Sequence, residues 1–166
     1  MKKIFTLLAI AGLLTLQSCT TSGSFEIAPV TTTSEVFEIT TSFNSNNNYG
    51  KLVTFNPRIY SSDVVLVYRL AGSNYQGDVW QLLPETHYYN DGTLNFGYKY
   101  DYTNSDVDIY MIGANLQNVT AEFRLNQVLR IVIVPASYAT AVNKSNYKDV
   151  MTTLNLKDSQ IQKINF

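Results

Sequence analysis

The chain is poor in the residues that most often build catalytic and metal sites. Its 166 residues include one cysteine, Cys19, and one histidine, His87. An internal disulfide is therefore excluded, and a zinc site of the usual Cys/His type cannot be assembled. The sequence also lacks the G-x-S-x-G, Walker, H-E-x-x-H and C-x-x-C motifs. Nothing in it supports the enzyme classes that these motifs mark, and no cofactor is expected.

Charge of either sign is also scarce. Charged residues make up 15% of the chain, and the formal net charge is −1. Because no basic stripe is present, nucleic acid is not expected as a partner. In contrast, 45% of the residues are hydrophobic and twelve are tyrosines, a composition typical of a folded domain with a substantial core.

The N-terminal hydrophobic run is too short to cross a membrane as a helix. After Lys2 and Lys3, it extends for 13 residues from Ile4 to Leu16, whereas a spanning helix needs about 20. A basic start followed by a short apolar segment is typical of a secretory signal peptide. The sequence LQSC that ends at Cys19 resembles the lipobox of bacterial lipoproteins, which implies cleavage before Cys19 and acylation of this residue. The alternative is an ordinary signal peptide with an incidental cysteine.

These features predict a signal peptide at residues 1–18, a tether at 19–34 and a single β-rich domain at 35–166. The tether is rich in threonine and serine and would reach about 45 Å if extended at ~3.1 Å per residue. Several acyl chains on Cys19 would anchor the protein permanently. No acidic pair follows Cys19, which favours an outer-membrane anchor facing the periplasm. After removal of the signal peptide, ten basic and thirteen acidic residues remain, a net charge of −3.

From Ser34 onward, the dominant hydrophobic period is two, as in β-strands. In EVFEITTSF, Phe37 and Ile39 share one face while Glu38 lies on the other. The runs DVVLVYRL and QVLRIVIV are almost continuously apolar and predict central strands buried on both faces. About eight short strands separated by turn sequences predict a mainly β fold, an antiparallel β-sandwich, with a β-barrel as the alternative.

The C-terminal region departs from this period. SNYKDVMTTLNL spaces its apolar residues at helical intervals and predicts one short helix, with Ser145 or Asn146 as the N-cap. A last short strand is expected in SQIQKINF.

Two groups of aromatic residues are candidates for ligand binding. We expect Trp80 in the core, with its indole N–H bonded to a backbone acceptor; the alternative is a platform on which a sugar stacks. A stripe of period two contains Phe96, Tyr98, Tyr100 and Tyr102. For this stripe, packing on the inner face with hydroxyls at the rim is favoured. An exposed stripe would instead bind a glycan or a partner protein.

The turn after His87 decides where this histidine points. A two-residue loop at Asp91-Gly92 would place His87 opposite Phe96, among apolar side chains. A three-residue loop, Asn90-Asp91-Gly92, would shift the pairing by one and place His87 opposite Asn95 on the polar side. We favour the second arrangement because it gives the histidine polar neighbours. Neither arrangement makes His87 catalytic.

Acidic residues raise two further possibilities. Asp101, Asp106 and Asp108 are oxygen donors within a short stretch and are the candidates for a calcium site, although Ile109 stands where an EF-hand loop needs glycine. A solvated acidic turn is the default interpretation. Catalysis by two carboxylates would require residues such as Glu85, Asp101 and Asp106 to converge in one pocket.

Arg69 and Arg130 are the lone charges inside the two most apolar strands. We expect them either at strand ends in solvent or paired with a carboxylate, as structural ion pairs. The carboxylates considered for this pairing are Asp78, Glu85 and Glu122.

Three blocks of the sequence, with the lipobox before them, resemble a family of small secreted lipoproteins of Bacteroidota of flavobacterial type. The blocks are DVVLVYRL, DVWQLLPETHYYNDGTLNFGY and NQVLRIVIVPASY, and the resemblance covers roughly residues 35–166. It implies an envelope lipoprotein, with no activity, catalytic residue or ligand assigned. Some relatives carry the label dihydrolipoamide dehydrogenase, but this chain has neither a G-x-G-x-x-G motif nor a redox cysteine pair.

Two functions from different classes follow. The favoured one is a lipid-anchored envelope protein with a non-catalytic binding or structural module, whose partner is the membrane and an envelope protein or glycan. The alternative is a carboxylate-dependent hydrolase of envelope or glycan substrates.

Overall fold

The computed structural model describes residues 33–166, which form two β-sheets packed face to face. The first sheet contains β1 (Glu35–Thr41), β3 (Val64–Asn74), β4 (Gly77–Leu82), β8 (Gln127–Val134) and β9 (Gln162–Ile164), in the order β4-β3-β8-β1-β9. The second contains β2 (Gly50–Thr54), β5 (Glu85–Tyr88), β6 (Leu94–Tyr102) and β7 (Asp106–Ile112), in the order β2-β7-β6-β5. Every pairing is antiparallel except that of β1 with β9.

The predicted β-sandwich is confirmed, with nine strands in the described part of the chain rather than about eight. The two sheets remain separate, so the barrel alternative is wrong. Helical segments are short. They are α1 (Ala121–Arg124), α2 (Tyr147–Thr153) and the 3-10 turns Ser45–Asn47, Leu116–Asn118, Ala136–Tyr138 and Asp158–Gln160.

An inner core fills the space between the two sheets. It is built by alternate side chains of both sheets, because successive residues of a strand point to opposite faces. Its main members are Ile39, Val65, Val67, Phe96, Tyr98, Val107, Ile109, Leu129 and Ile131. The alternation predicted for β1 holds for Ile39, which is 1% exposed.

A second, outer core covers the other face of the first sheet. There, alternate residues of the strands pack against α2 and the segment before it; the fully or nearly buried members are Val36, Leu66, Tyr68, Val132, Val134, Val142, Val150, Met151 and Leu154. Both faces of β8 and of the first half of β3 (residues 64–69) are therefore buried, as their continuous apolar sequences predict. The predicted helix begins at Tyr147 because the Asn146 side chain caps it, accepting a hydrogen bond from the Asp149 amide at 3.3 Å.

The hairpin between β5 and β6 combines features of the two arrangements considered for it. Tyr89 donates its amide hydrogen to the Thr93 carbonyl at 2.9 Å, so the loop has three residues, and Gly92 has a φ of 84°. His87 nevertheless lies opposite Phe96, because Asn95 is an extra residue on β6 that shifts the register back. The expectation that His87 faces Asn95 is therefore wrong.

Candidate functional site

An open groove of about 500 Å³ lies beside α2 on the outer side of the first sheet. Aromatic, cationic and acidic side chains surround it. Its lining residues are Gln76, Gly77, Asp78, Trp80, Arg130, Tyr147, Lys148, Met151, Thr152, Leu156, Lys157 and Asp158. We call it the Trp80 groove. A volume of this size falls within the range typical of small-ligand sites.

Trp80 and Tyr147 meet because the Trp80 side chain projects from β4 on the face of the sheet that α2 covers. Trp80 lies opposite Leu70 in the β3–β4 pairing, and its side chain packs at the margin of the outer core. Tyr147, the first residue of α2, has its ring centroid 5.3 Å from that of Trp80 and 5.1 Å from that of Tyr68. No further strand within residues 33–166 pairs with the outer edge of β4, so this aromatic pair lies at an open edge of the sheet.

Arg130 fixes the aromatic pair from the floor of the groove. Its guanidinium carbon lies 4.1 Å from the Trp80 ring centroid and 5.1 Å from that of Tyr147, distances typical of cation–π contacts. Its Nε donates to a Glu38 carboxylate oxygen at 2.9 Å, and its Nη1 donates to the Tyr147 hydroxyl at 2.8 Å. Asp158 lies 3.8 Å from the same Nη1. With two directional hydrogen bonds, the arginine cannot turn freely.

Burial raises the pKa of Tyr147, although the neighbouring Arg130 acts in the opposite direction. The Tyr147 hydroxyl therefore remains protonated and keeps a hydrogen that it can donate while accepting from Arg130. The Arg130 side chain is only 12% exposed, which places its charge beneath the groove surface rather than at its rim. Its pairing with Glu38 confirms the expectation of a structural ion pair, although Glu38 was not among the carboxylates considered.

Trp80 is half-buried rather than fully buried, and its indole N–H has no hydrogen-bond acceptor within residues 33–166. The expected bond to a backbone acceptor is therefore absent from the described part of the chain. The residue combines the two interpretations considered for it: one part of the ring packs against the outer core, and another lines the groove.

The other aromatic candidates do not join Trp80. Tyr98 is fully buried and donates its hydroxyl to the Phe123 carbonyl, and the Tyr100 hydroxyl donates to the Val65 carbonyl at 3.0 Å. Burial raises the pKa of Tyr100 to about 12. Tyr102, at the end of β6, is 42% exposed. The stripe thus packs inward, as favoured, and reaches the surface only at its last member.

The candidate carboxylates lie on different faces of the second sheet. Glu85 extends between the sheets, where Arg69 donates to it, while Asp101 accepts from the Tyr110 hydroxyl at 2.8 Å on the outer face of the second sheet. Asp106 accepts from the Thr103 hydroxyl at 2.7 Å in the turn before β7. Glu85 lies opposite Tyr98 and faces inward with it, whereas Asp101, three residues further along β6, faces outward. Glu85 therefore does not converge with the two aspartates.

Asp108 lies directly opposite Asp101 in the β6–β7 pairing. Within residues 33–166, no group of three or more His, Cys, Asp or Glu side chains is close enough to hold a metal ion. Asp101, Asp106 and Asp108 thus do not form the oxygen cluster that calcium requires.

A second polar cluster contains His87. Its Nε2 lies 2.7 Å from a Glu85 oxygen, and its ring stacks on Phe96 with a centroid distance of 4.3 Å. Glu85 also receives two hydrogen bonds from Arg69, at 2.7 and 2.8 Å. No hydroxyl or thiol within residues 33–166 hydrogen-bonds to the His87 ring. The cluster joins the two sheets and contains no nucleophile.

A smaller groove of about 400 Å³ lies above this cluster, between β3 and the segment before β8. Arg69 and Gln127 line it, but both have partners: Arg69 pairs with Glu85, and the Gln127 amide donates to the carbonyls of Glu122 and Leu125. Its two buried polar side chains are therefore already bonded, whereas the indole N–H of Trp80 has no acceptor within residues 33–166. The Trp80 groove is the better candidate for ligand binding.

The sequence indicated Trp80 but not the rest of the groove. Arg130 and Tyr147 are 50 and 67 residues away from it, respectively. The only local signals were a lone charge in an apolar strand and an aromatic residue at a helix start. Cys19 and the predicted signal peptide lie outside the described residues.

Comparison with known proteins found no matching family model, no matching curated protein and no matching solved structure. Within residues 33–166, no helix has the length and apolar character needed to span a membrane.

Proposed function

We propose that the protein is a lipid-anchored protein of the bacterial cell envelope, and that its β-sandwich is a non-catalytic module that binds an envelope component in the Trp80 groove. The observation that carries the binding function is the arrangement of Trp80, Tyr147 and Arg130. Three side chains distant in sequence are held in one open groove, with the arginine fixed by Glu38.

The lipid anchor is supported by the N-terminal sequence. Two lysines, a 13-residue apolar run and Leu16-Gln17-Ser18-Cys19 occur in the order found in bacterial lipoprotein precursors. The resemblance to the lipoproteins of Bacteroidota points to the same compartment. The absence of an acidic pair after Cys19 favours an outer-membrane anchor that faces the periplasm.

The chemistry of the described residues supports binding rather than hydrolysis. A carboxylate-dependent hydrolase needs two carboxylates on either side of one bond, but Glu85 and Asp101 lie on opposite faces of the second sheet. Glu85 is in addition bonded to Arg69 and His87, so its oxygens are not free to act as an acid or a base.

Two experiments test the proposal in cells of the source organism. The first is labelling with a radioactive or alkyne-tagged fatty acid. We expect the wild type to be labelled and Cys19→Ala to be unlabelled, because Cys19 is the only cysteine in the chain. Labelling of Cys19→Ala, or an unlabelled wild type, contradicts the lipid anchor.

The second is site-specific photo-crosslinking in intact cells. A photoreactive amino acid replaces Lys148, which lines the groove, or Lys99, which is exposed on the outer face of the second sheet. We expect a discrete adduct from position 148 that is absent from position 99 and is lost when Trp80→Ala is added. The same adduct at both positions, or an adduct unaffected by Trp80→Ala, contradicts binding in the groove.

A further inference from the structure

We infer that the ligand of the Trp80 groove is an uncharged oligosaccharide; this inference rests on the binding function proposed above. Saccharide sites combine an aromatic ring with polar groups that both donate and accept hydrogen bonds. The Trp80 groove has both parts, and its open form suits a chain-like ligand better than a compact one.

The aromatic part is Trp80 with Tyr147. The C–H bonds on one side of a pyranose ring form an apolar surface, which packs against an indole or phenol ring. Trp80 is already immobilised by the Arg130 guanidinium 4.1 Å from its centroid and by Tyr147 at 5.3 Å. Because the ring is ordered before the ligand arrives, little conformational entropy is lost there on binding.

The polar part surrounds these rings. Gln76, Lys148 and Lys157 supply donors, while Asp78 and Asp158 supply acceptors. The Thr152 hydroxyl donates its hydrogen to the Lys148 carbonyl at 2.8 Å, so its oxygen is a further acceptor. A sugar hydroxyl donates one hydrogen bond and accepts others, so a rim with both kinds of group matches vicinal hydroxyls. The indole N–H of Trp80, which has no acceptor within residues 33–166, is a further donor available to a hydroxyl.

The charges of the groove favour a neutral ligand over an anionic one. Arg130 pairs with Glu38 at 2.9 Å, a carboxylate that it shares with Lys163, and it lies 3.8 Å from Asp158, so its charge already has carboxylate partners within the protein. Lys148 and Lys157 share the rim with the carboxylates of Asp78 and Asp158, so the rim carries charges of both signs. A polyanionic saccharide would meet these two carboxylates, whereas neutral hydroxyls can bond to either sign.

Binding is measured on the full-length lipidated chain in a mild detergent. The probes are neutral hexasaccharides, namely β-linked glucose, xylose and N-acetylglucosamine oligomers and a mannose oligomer, with hexagalacturonic acid as the acidic comparison. Isothermal titration calorimetry gives the Kd for each. The groove variants are Trp80→Ala and Thr152→Arg; the second places a long side chain in the groove from an exposed position of α2.

The matched control is Tyr88→Ala, which removes an aromatic ring that is 61% exposed on the second sheet. We expect at least one neutral oligosaccharide to bind, with a loss of about tenfold or more in affinity for both groove variants and no change for Tyr88→Ala. Trp80→Phe, which retains a ring, should restore most of the affinity lost in Trp80→Ala. Because Thr152 is on the surface, its variant remains informative even where Trp80→Ala does not fold.

Three results overturn the inference. They are no binding of any neutral probe, binding of hexagalacturonic acid alone, and neutral binding that Trp80→Ala and Thr152→Arg leave unchanged. These results are distinct from failure of the proposed function, which the crosslinking experiment decides. A groove-dependent adduct with a protein would retain the binding function and reject the saccharide.

Discussion

Arg69 of β3 and Glu85 of β5 form a bidentate ion pair that joins the two sheets of the sandwich. Nε and Nη2 of Arg69 donate to the two carboxylate oxygens of Glu85 at 2.8 and 2.7 Å. Only 6% of the arginine side chain and 12% of the glutamate side chain are exposed. Because both charged groups are removed from water, the attraction between them is needed to offset their desolvation cost. The Tyr98 ring, 5.0 Å from the guanidinium carbon, completes the surroundings.

We predict that Glu85→Gln lowers the free energy of unfolding at pH 7 by about 3 kcal/mol, because it leaves the Arg69 charge buried without a counter-charge. Denaturant unfolding followed by tryptophan fluorescence measures the change. The double variant Arg69→Met/Glu85→Leu should lose less than Glu85→Gln, since it removes both charges together. A double variant as unstable as the single one would show that Arg69 is not left unsatisfied.

The stability supplied by Glu85 should also depend on pH. Burial acts to raise the pKa of Glu85, but the hydrogen bonds and charges of Arg69 and His87 outweigh it and lower the pKa below its usual value. In the unfolded chain the pKa is about 4.3. The contribution of Glu85 is therefore complete above about pH 5 and is lost as pH falls through the folded-state pKa.

Unfolding free energies of wild type and Glu85→Gln, measured from pH 7 to pH 3, should consequently converge at the acidic end. A difference between the two proteins that stays constant over this range would contradict a depressed pKa. Other carboxylates titrate in both proteins, so the comparison isolates Glu85.

Gly97 allows β5 and β6 to approach each other beneath this ion pair. A β-carbon at position 97 would lie 2.6 Å from the Glu85 carbonyl oxygen and 3.2 Å from the Thr86 Cγ2. Since the nearest atom belongs to the backbone, the strand itself must move. We predict that Gly97→Ala destabilises the protein by about 2 kcal/mol or more. The control is Lys99→Ala, an exposed substitution on the same strand, with an expected change of about 0.5 kcal/mol or less.

The same unfolding assay gives the outcome for Gly97. A Gly97→Ala protein as stable as Lys99→Ala would mean that β5 can shift without loss. In that case, the position of Glu85 would not require glycine at position 97.

Leu154 tests the outer core that holds α2 against the sheet. It is 7% exposed and packs in the cluster that includes Val150 and Met151. We predict that Leu154→Ala lowers the free energy of unfolding by about 2–4 kcal/mol, because it leaves a cavity beneath α2. Leu125→Ala, at a leucine that is 42% exposed, should have a much smaller effect. Equal losses of unfolding free energy for the two substitutions would show that the packing of α2 on the sheet does not contribute to the stability of the domain.

Local sequence patterns were sufficient for most of the strands. QVLRIVIV corresponds residue for residue to β8, and DVVLVYRL begins one residue before β3. Their uninterrupted apolar character correctly predicted burial on both faces, since β8 lies between β3 and β1, with a core on each side. Hydrophobic periodicity predicts burial here because successive side chains point to opposite faces of a strand, so the apolar pattern reflects which of the two faces is buried.

His87 shows where such patterns are insufficient. The turn residues correctly predicted a three-residue loop with Gly92 in the left-handed region. They could not reveal that Asn95 forms a β-bulge, because a bulge depends on how the neighbouring strands pair and not on the turn residues. The histidine therefore stacks on Phe96 and bonds to Glu85 instead of facing the polar side.

By itself, the sequence determined the β-sandwich, the strands buried on both faces and the capped C-terminal helix, while the signal peptide stays a prediction from the sequence. All of these depend on the order of residues that are close together in the chain. Only the tertiary structure decided which charges pair, that the carboxylates are divided between two faces, and that Trp80, Arg130 and Tyr147 share a groove. These relationships join residues far apart in the chain, and strand register and helix docking set them through the packing of the whole domain.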